Sequence, residues 1–299
     1  MKKHWFVHSL LPFSLGLLCL LGGCNDAASQ SASVPADDGN SLFQSDGSIS
    51  QPAVISENPF IVKDINGDDY DISTTTWGSK YPFMVDYFRD LKAAIQAAGD
   101  EIKEAALLTN WIKVRVLDSS IMAYGTPIVS LLGFDSEGKP DPNGPQVTTT
   151  VYSAELEDTT PLDEEYFKSG LSGTRTEDQI YLNVSLTIEN TGSETIDFYL
   201  NNIIPQIFVD GEAASATPNV ISEMITASNT DVSIQDKSFF RCTLAPGQSQ
   251  DYTVVFYADH RLDIEDIYLK LNYTGLYQEP SPTEDSAIRI MTGTFCSLR

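Results

Sequence analysis

The stretch YLNVSLTIENTGSETID, residues 181–197, decides how the chain folds. Its first half alternates aliphatic with polar side chains, and successive side chains of a β-strand point to opposite faces of a sheet. The aliphatic set is Leu182, Val184, Leu186 and Ile188, and the polar set is Asn183, Ser185, Thr187 and Glu189. We therefore expect a half-buried antiparallel strand. Asn190, Thr191 and Gly192 tolerate the backbone of a tight turn, after which residues 195–200 resume an extended pattern.

Short β-rich segments flank this strand on both sides and are separated by turn residues. They lie at 111–117, 127–134, 147–156, 203–209, 239–244, 251–258, 267–273 and 288–296. Pro205 marks one of them as an edge strand or a bulge, because proline cannot donate to a β-ladder, and Asp210 and Gly211 form its turn. Roughly eight to ten such strands predict a mainly β fold, an immunoglobulin-like antiparallel β-sandwich over residues 111–299, preceded by a small helical region.

The chain is strongly acidic. Its 299 residues include 42 Asp and Glu against 18 Lys and Arg, which gives a formal net charge of -24. A surface of this kind repels a phosphate backbone and an anionic bilayer, so no nucleic acid partner is expected. Cations, basic proteins and simple solubility remain as explanations of the charge.

The N-terminus has the features of a signal peptide over residues 1–23. Two lysines precede a short apolar run at 10–21, which is too short to remain as a membrane-spanning helix. The sequence Leu-Gly-Gly-Cys at 21–24 resembles the lipobox of bacterial lipoproteins, in which the cysteine receives a diacylglyceryl group and the leader is cut before it. This resemblance implies that Cys24 is lipidated and anchors the protein to a membrane. An ordinary signal peptide with a chance cysteine is the alternative.

Residues 24–57 predict a flexible linker. They are rich in Ser, Ala, Asp, Gly, Gln and Pro and contain few aliphatic side chains, so they bury too little surface to offset the entropy lost on ordering. Such a tether would hold the folded part at the extracytoplasmic face of the cell membrane through its lipid chains.

A small helical or mixed region is expected over residues 58–110. Asp64, Asn66 and Asp68 begin an oxygen-rich loop that resembles the start of a calcium-binding EF-hand loop. The loop glycine comes two places early, and the twelfth position, Thr75, supplies no carboxylate. A polar hairpin turn is therefore the preferred interpretation.

Pro82 predicts the start of an amphipathic helix, because the first helical position needs no N–H donor. Apolar side chains then recur at spacings of three and four, which places them on one stripe. The stripe consists of Met84, Phe88, Leu91, Ile95, Ala98 and Ile102. We expect it to be buried against the sheet rather than to form a groove for a partner. Gly99 and Asp100 are expected to break the helix, with a second helix running to Asn110.

Four segments of the sandwich carry a resemblance to a known family. They are residues 181–196, 209–211, 244–249 and 251–256, which read YLNVSLTIENTGSETI, VDG, LAPGQS and DYTVVF. A strand before an Asn-Thr-Gly turn, and a Leu-x-Pro-Gly-x-Ser turn before a Val-Val-Phe strand, resemble the immunoglobulin-like DUF4352 domains of Gram-positive lipoproteins. The resemblance covers about residues 146–296. It implies an immunoglobulin-like fold and an envelope location, and it implies no catalytic residue.

The four cysteines differ in their expected roles. Cys19 lies in the predicted leader and Cys24 is the predicted lipidation site, which leaves Cys242 and Cys296 in the sandwich. Because exported proteins fold in an oxidising compartment, we expect these two cysteines to form a disulfide.

Candidates for catalysis are few. His260 is the single histidine beyond the leader, and it is expected to be a surface turn residue. The sequence contains neither a Gly-x-Ser-x-Gly nucleophile motif nor a phosphate-binding glycine loop. With so few histidines and cysteines left, no zinc site is expected. The acidic run at 155–165 is expected to be a solvated loop, from which no glycosidase pair can be chosen.

Tyrosine on the segment 267–273 is the remaining candidate for recognition. Tyr268 shares its face with Lys270 and Asn272, so we expect this face to be exposed, and tyrosine is common at binding surfaces. Phe256, on another predicted strand, is expected in the core.

The sequence thus predicts a lipid-anchored cell-envelope protein that acts as a non-catalytic binding module. Its partner would be an envelope protein or a wall component. A cation- or small-ligand-binding lipoprotein and a carboxylate-dependent envelope enzyme are the alternatives. No cofactor, metal site or catalytic residue is predicted.

Overall fold

The architecture is taken from a computed structural model, which describes residues 60–63, 69–99, 113–116, 120–132, 136, 141, 143–168, 173–214, 220–271, 281–282, 288–291 and 294–299. The predicted signal peptide, Cys24 and the linker to residue 57 lie outside these described residues. So do the oxygen-rich turn at 64–68 and the second predicted helix at 100–110. All described residues belong to one unit, Pro59–Arg299.

Two α-helices lie near the start of this unit, α1 at Thr76–Lys80 and α2 at Pro82–Ala97. None of the helices in the described ranges is long and apolar enough to cross a membrane. The described strands number seventeen, more than the sequence predicts, because many are only two to four residues long. They are β1 Ile61–Lys63, β2 Asp69–Asp71, β3 Lys113–Val116, β4 Ile121–Met122, β5 Ile128–Leu131, β6 Gln146–Glu157, β7 Gln179–Asn190, β8 Ile196–Tyr199, β9 Ile203–Val209, β10 Glu212–Ala213, β11 Thr226–Ala227, β12 Arg241–Leu244, β13 Ser249–Asp259, β14 Ile267–Leu271, β15 Ser281–Pro282, β16 Ile288–Met291 and β17 Phe295–Ser297.

Most of the strands form two large sheets. The five-stranded sheet has the order β11-β13-β7-β6-β5 and is antiparallel. The eight-stranded sheet has the order β15-β16-β3-β10-β9-β14-β17-β4 and contains two parallel pairs, β16 with β3 and β17 with β4. One apolar cluster joins buried residues of both sheets, such as Val184 of β7 and Leu269 of β14. The fold is therefore a mainly β sandwich preceded by a small helical region, as predicted.

β7 lies in the middle of the five-stranded sheet, between β6 and β13. It pairs with β13 along almost its whole length, from Gln179 opposite Asp259 to Glu189 opposite Ser249. The four predicted core residues, Leu182, Val184, Leu186 and Ile188, are fully buried. The alternation in the sequence is thus confirmed as the signal of a strand with one buried face.

After β7 the chain turns at Asn190 and enters a different sheet, since β8 pairs with β12 rather than with β7. Asn190 is fully buried, and its Nδ2 donates to the carbonyls of Glu194 at 2.8 Å and Leu244 at 2.9 Å. Its Oδ1 accepts a hydrogen bond from the Gly192 amide at 3.0 Å. One side chain therefore closes the turn and joins it to β12.

Pro205 lies within the eight-stranded sheet, on β9 between β10 and β14. The prediction that its strand is at a sheet edge is therefore wrong. The proline is opposite Leu269 of β14. On the other side, the residues of β9 opposite β10 are Phe208 and Val209. Pro205 thus lies outside the described pairing with β10, so its missing N–H interrupts none of the ladder bonds in the described residues.

The predicted start of α2 at Pro82 is confirmed. Met84 and Phe88 of the predicted stripe are each 2% exposed, and they belong to the same apolar cluster as the two sheets. Ala98 is exposed because the helix has already ended at Ala97, so its place in the stripe is wrong. The helix therefore packs on the sandwich through its first two turns.

α1 is an element that the hydrophobic pattern does not reveal, because it is only five residues long. Thr75 caps it, since its Oγ1 accepts a hydrogen bond from the Gly78 amide at 2.8 Å. Trp77 is 4% exposed and belongs to the shared cluster. The Thr76 hydroxyl donates to the Val209 carbonyl at 2.7 Å, which ties α1 to β9.

The N-terminal strands β1 and β2 pair antiparallel, with Val62 opposite Tyr70. The predicted hairpin is therefore confirmed by its two strands, whereas the turn between them lies outside the described residues.

Candidate binding surface

The acidic connection between β6 and β7 packs on the outer face of the five-stranded sheet. In its described residues, Leu162 and Phe167 join a small apolar cluster with Val255 and Tyr257 of β13 and Tyr181 of β7. The rings of Phe167 and Tyr181 meet edge to face with 6.4 Å between their centroids. This segment therefore covers one part of the sheet's outer face.

The carboxylates of the predicted acidic run are exposed, as predicted. They belong to Glu155 and Glu157 at the end of β6 and to Asp158, Asp163, Glu164 and Glu165 in the connection. The prediction of a loop is therefore wrong for residues 155–157, which continue the strand, and the prediction of solvent exposure is wrong for Leu162, which is half-buried.

Two polar contacts hold the connection in place. The ammonium of Lys168, which is 7% exposed, donates to the Val232 carbonyl and lies 5.5 Å from the centre of the Phe239 ring. Asn183 Nδ2 donates to the Thr159 carbonyl at 2.8 Å. Asn183 is therefore buried, although it belongs to the row of residues predicted to face solvent.

The rest of this outer face remains accessible to solvent, and we term it the open face. It consists of Thr148, Thr150 and Tyr152 of β6, Ser185 and Thr187 of β7, and Asp251 and Thr253 of β13. Thr150, Thr187 and Asp251 lie opposite one another on adjacent strands. The Thr187 hydroxyl donates to Asp251 Oδ1 at 2.6 Å, so the carboxylate is held in one orientation.

Tyr152 is the most exposed large aromatic side chain of the described residues, at 49%. A β-bulge between Val151 and Ser153 leaves it without an opposite residue on β7. Partial burial and the charge of Asp251 raise the pKa of Tyr152, so the phenol keeps its proton at neutral pH. The bulge thus presents an aromatic ring and a hydroxyl donor near an oriented carboxylate.

A polar cleft of about 470 Å³ lies beside the acidic connection and is lined in part by Glu157, Arg175 and His260. The backbone nitrogen of His260 lies 2.9 Å from the carbonyl oxygen of Asp178, and the ring Nδ1 lies 2.8 Å from the same oxygen. Because a carbonyl only accepts, Nδ1 is the donor of this hydrogen bond. His260 is exposed in a turn, as predicted, and its ring is oriented by a carbonyl rather than by the carboxylate of a triad.

The predicted disulfide is not formed, since Cys242 and Cys296 are both buried free thiols. Cys242 lies on β12 of a two-stranded sheet, whereas Cys296 lies on β17 of the eight-stranded sheet. Their thiols donate to different carbonyls, those of Phe240 at 3.8 Å and Ser297 at 3.3 Å. Burial raises the pKa of each thiol to about 11, so neither is a thiolate at neutral pH.

The predicted exposure of the Tyr268 and Lys270 face is wrong. Lys270 is only 4% exposed, and its Nζ lies 6.0 Å from the ring centre of Phe295. Tyr268 is half-buried and packs edge to face on Phe208, with 5.1 Å between the ring centroids. A second apolar cluster covers this face, which alternation along one strand cannot reveal. Phe256 is fully buried, as predicted.

Within the ranges that the structure describes, no three His, Cys, Asp or Glu side chains converge as they would around a metal ion. The open face instead offers hydroxyl groups, one oriented carboxylate and one aromatic ring. These groups can form hydrogen bonds and a stacking contact with a ligand.

No family model and no curated protein matches this chain. Among solved structures it is similar to the yjhA protein from Bacillus subtilis, with 13% identity, a TM-score of 0.30 and coverage of 59% of this chain and 98% of that one. It is also similar to an uncharacterized β-sandwich protein from Clostridium difficile, with 8% identity, a TM-score of 0.28 and coverage of 60% and 94%. A secreted protein from Mycobacterium tuberculosis, MPT63, has 10% identity, a TM-score of 0.28 and coverage of 52% and 90%. Similarity at these scores carries no function over to this chain.

Proposed function

We propose that the protein is a lipid-anchored cell-envelope protein on the extracytoplasmic face, where it acts as a non-catalytic binding module of the DUF4352-like, immunoglobulin-like kind. The observation that carries this proposal is the open face. One part of the sheet's outer surface is covered by the acidic connection, whereas the part with Tyr152, Thr187 and Asp251 is left in contact with solvent. Such a flat polar surface is suited to binding a partner, and it encloses no reaction chamber.

The N-terminal sequence supports the anchor. A lipobox-like segment at 21–24 precedes the polar linker of residues 24–57, and Cys24 is the residue proposed to receive the lipid. The tether would leave the sandwich free to reach a surface protein or a wall component.

Three observations support binding rather than catalysis. The thiols of Cys242 and Cys296 are buried and protonated, so they are poor nucleophiles. The His260 ring is fixed by a backbone carbonyl. The carboxylates of the acidic connection are exposed to solvent rather than enclosed in a site.

Two experiments on the full chain, expressed in its own organism, test the proposal. Labelling cells with an alkyne fatty acid is expected to mark the wild-type protein and to leave the Cys24→Ala variant unmarked. Equal labelling of the two chains would contradict lipidation at this residue.

The second experiment measures binding. The detergent-purified chain is sedimented with washed envelope fragments, and we expect it to be retained far more than an acidic protein of matched charge. Retention no greater than that of the charge-matched protein would contradict the binding module.

A further inference from the structure

We propose that the open face binds a neutral, hydroxyl-rich polysaccharide. This inference rests on the proposed function, because it chooses a wall glycan as the partner of the binding module. The charge, the hydrogen-bonding groups and the exposed apolar area of the face support it independently of one another.

The charge of the face excludes anionic polymers. The three strands that form it, β6, β7 and β13, contain no Lys, Arg or His along their described lengths. They do carry exposed carboxylates, among them Glu155, Glu189 and Asp251. A polymer of phosphate or carboxylate groups would meet repulsion and no compensating cation. The ligand is therefore neutral or basic.

The small apolar content of the face favours a glycan over a basic protein. The described chain exposes four large apolar side chains, at Val129, Tyr152, Tyr199 and Ile204. Tyr152 belongs to the open face, and Val129 of β5 lies on the same side of the sheet, opposite Thr148 at the edge of this face. Protein interfaces centre on a cluster of desolvated apolar and aromatic residues, which one tyrosine and one valine at the edge do not provide. A sugar needs less apolar surface than a protein partner, since one aromatic ring can stack on the C–H face of one pyranose.

The hydrogen-bonding groups are arranged for a polyol. Asp251 Oδ1 already accepts from Thr187, while Oδ2 accepts no bond from the described residues. A sugar hydroxyl can donate to this second oxygen. The Thr187 hydroxyl, whose proton is given to Asp251, can accept from another sugar hydroxyl, and the Thr150 hydroxyl can donate or accept. Neighbouring strands lie about 4.8 Å apart, close to the length of one pyranose unit, so successive sugars can meet successive strands.

The test measures binding of chitohexaose and cellohexaose to the detergent-purified full chain by isothermal titration calorimetry. Polygalacturonate serves as the anionic polymer. We expect at least one neutral oligosaccharide to bind, and the Tyr152→Ala variant to bind it at least about tenfold more weakly, which corresponds to the loss of one stacking contact. Tyr199→Ala is the matched control, because Tyr199 is 38% exposed on another sheet, and its affinity should equal that of the wild type.

The outcomes separate this inference from the proposed function. If both neutral oligosaccharides fail to bind while the chain still sediments with envelope fragments, the glycan inference is overturned and the binding module stands. If both assays fail, both proposals are overturned. Equal losses in the Tyr152 and Tyr199 variants, or preferential binding of polygalacturonate, would also overturn the glycan inference. Thermal melts of both variants confirm that each remains folded.

Discussion

Tyr81 and Asp266 are joined by a hydrogen bond of 2.5 Å from the phenol to Oδ2 of the carboxylate. Tyr81 is 4% exposed and links α1 to α2, whereas Asp266 lies in the turn before β14. The Lys80 ammonium stands 2.7 Å from the same carboxylate, and the Asp263 amide donates to the Tyr81 hydroxyl at 3.1 Å. These bonds fasten the helical region to the sandwich.

Removing the hydroxyl by Tyr81→Phe is expected to lower the free energy of unfolding by about 1–3 kcal/mol. The lost bond has a charged acceptor, and the Asp263 amide also loses its acceptor. Urea unfolding followed by circular dichroism measures the change. The exposed Tyr199 provides the control, and Tyr199→Phe should change stability by less than about 0.5 kcal/mol. Equal stability of the Tyr81 variant and the wild type would show that this bond does not hold the helices.

Arg261 is expected to be important for stability because it neutralises a buried carboxylate. Its Nε and Nη2 donate to the two oxygens of Asp259 at 2.8 Å and 2.6 Å, and Asp259 is fully buried. Its guanidinium also lies 4.0 Å from the ring centre of Phe83 in α2. Arg261→Leu should destabilise the protein by about 2–3 kcal/mol, at the low end for a buried pair because the arginine is 38% exposed.

A double-mutant cycle checks this pair. The Asp259→Asn/Arg261→Leu variant removes the uncompensated charge, so it should be more stable than Arg261→Leu alone. If the losses of the two single variants simply add, the pair does not act as a unit.

The Asn190 amide group is expected to be required as a donor. Asn190→Ala removes its hydrogen bonds and should lower the free energy of unfolding by about 2 kcal/mol. Asn190→Asp places a carboxylate oxygen against the carbonyls of Glu194 and Leu244, and should lower it by about 4 kcal/mol at pH 7. Urea unfolding of both variants shows which of them has the lower free energy of unfolding. An aspartate variant as stable as the alanine variant would contradict the orientation of this side chain.

The two buried thiols predict a loss of stability at alkaline pH. Burial raises the pKa of Cys242 and of Cys296 from 9.0 to about 11. Between about pH 9 and pH 11 the unfolded chain has therefore lost protons that the folded chain retains. Stability must fall as the pH rises through this window, by about 2 kcal/mol for each thiol.

Urea midpoints measured from pH 8 to pH 11 test this, with the Cys242→Ala/Cys296→Ala double variant as the control. Buried tyrosines affect the wild type and the double variant in the same way. The difference between the two proteins in the slope of stability against pH is therefore due to the thiols. A wild-type slope equal to that of the variant is the outcome expected of a disulfide, and it would contradict two free thiols.

The parts of the fold that follow local rules could be predicted from the sequence. Alternation over residues 181–189 gave the central strand, because the side-chain period of a strand is a property of consecutive residues. Pro82 gave the start of α2 for a similarly local reason. The signals of β6 and β13 are of the same kind, and it is the number of such short segments with turns between them that predicts a sandwich.

The candidate site could not be predicted, because it depends on which surfaces are covered by distant segments. The expected exposure of Tyr268 was wrong since Phe208 and Phe295, both distant in sequence, pack on that face. The exposure of Tyr152 is set by a bulge, which has no sequence signature here. The number of cysteines and the oxidising compartment predict the pairing of Cys242 with Cys296, but neither says where the two strands lie.

The most direct test of the binding module is hydroxyl-radical footprinting of the full chain with and without washed envelope fragments. Mass spectrometry compares the oxidation of Tyr152 with that of Tyr199, two exposed tyrosines on different sheets. We expect envelope fragments to reduce the oxidation of Tyr152 several-fold and to leave Tyr199 unchanged. Protection of Tyr199 alone, or of neither residue, would contradict binding through the open face.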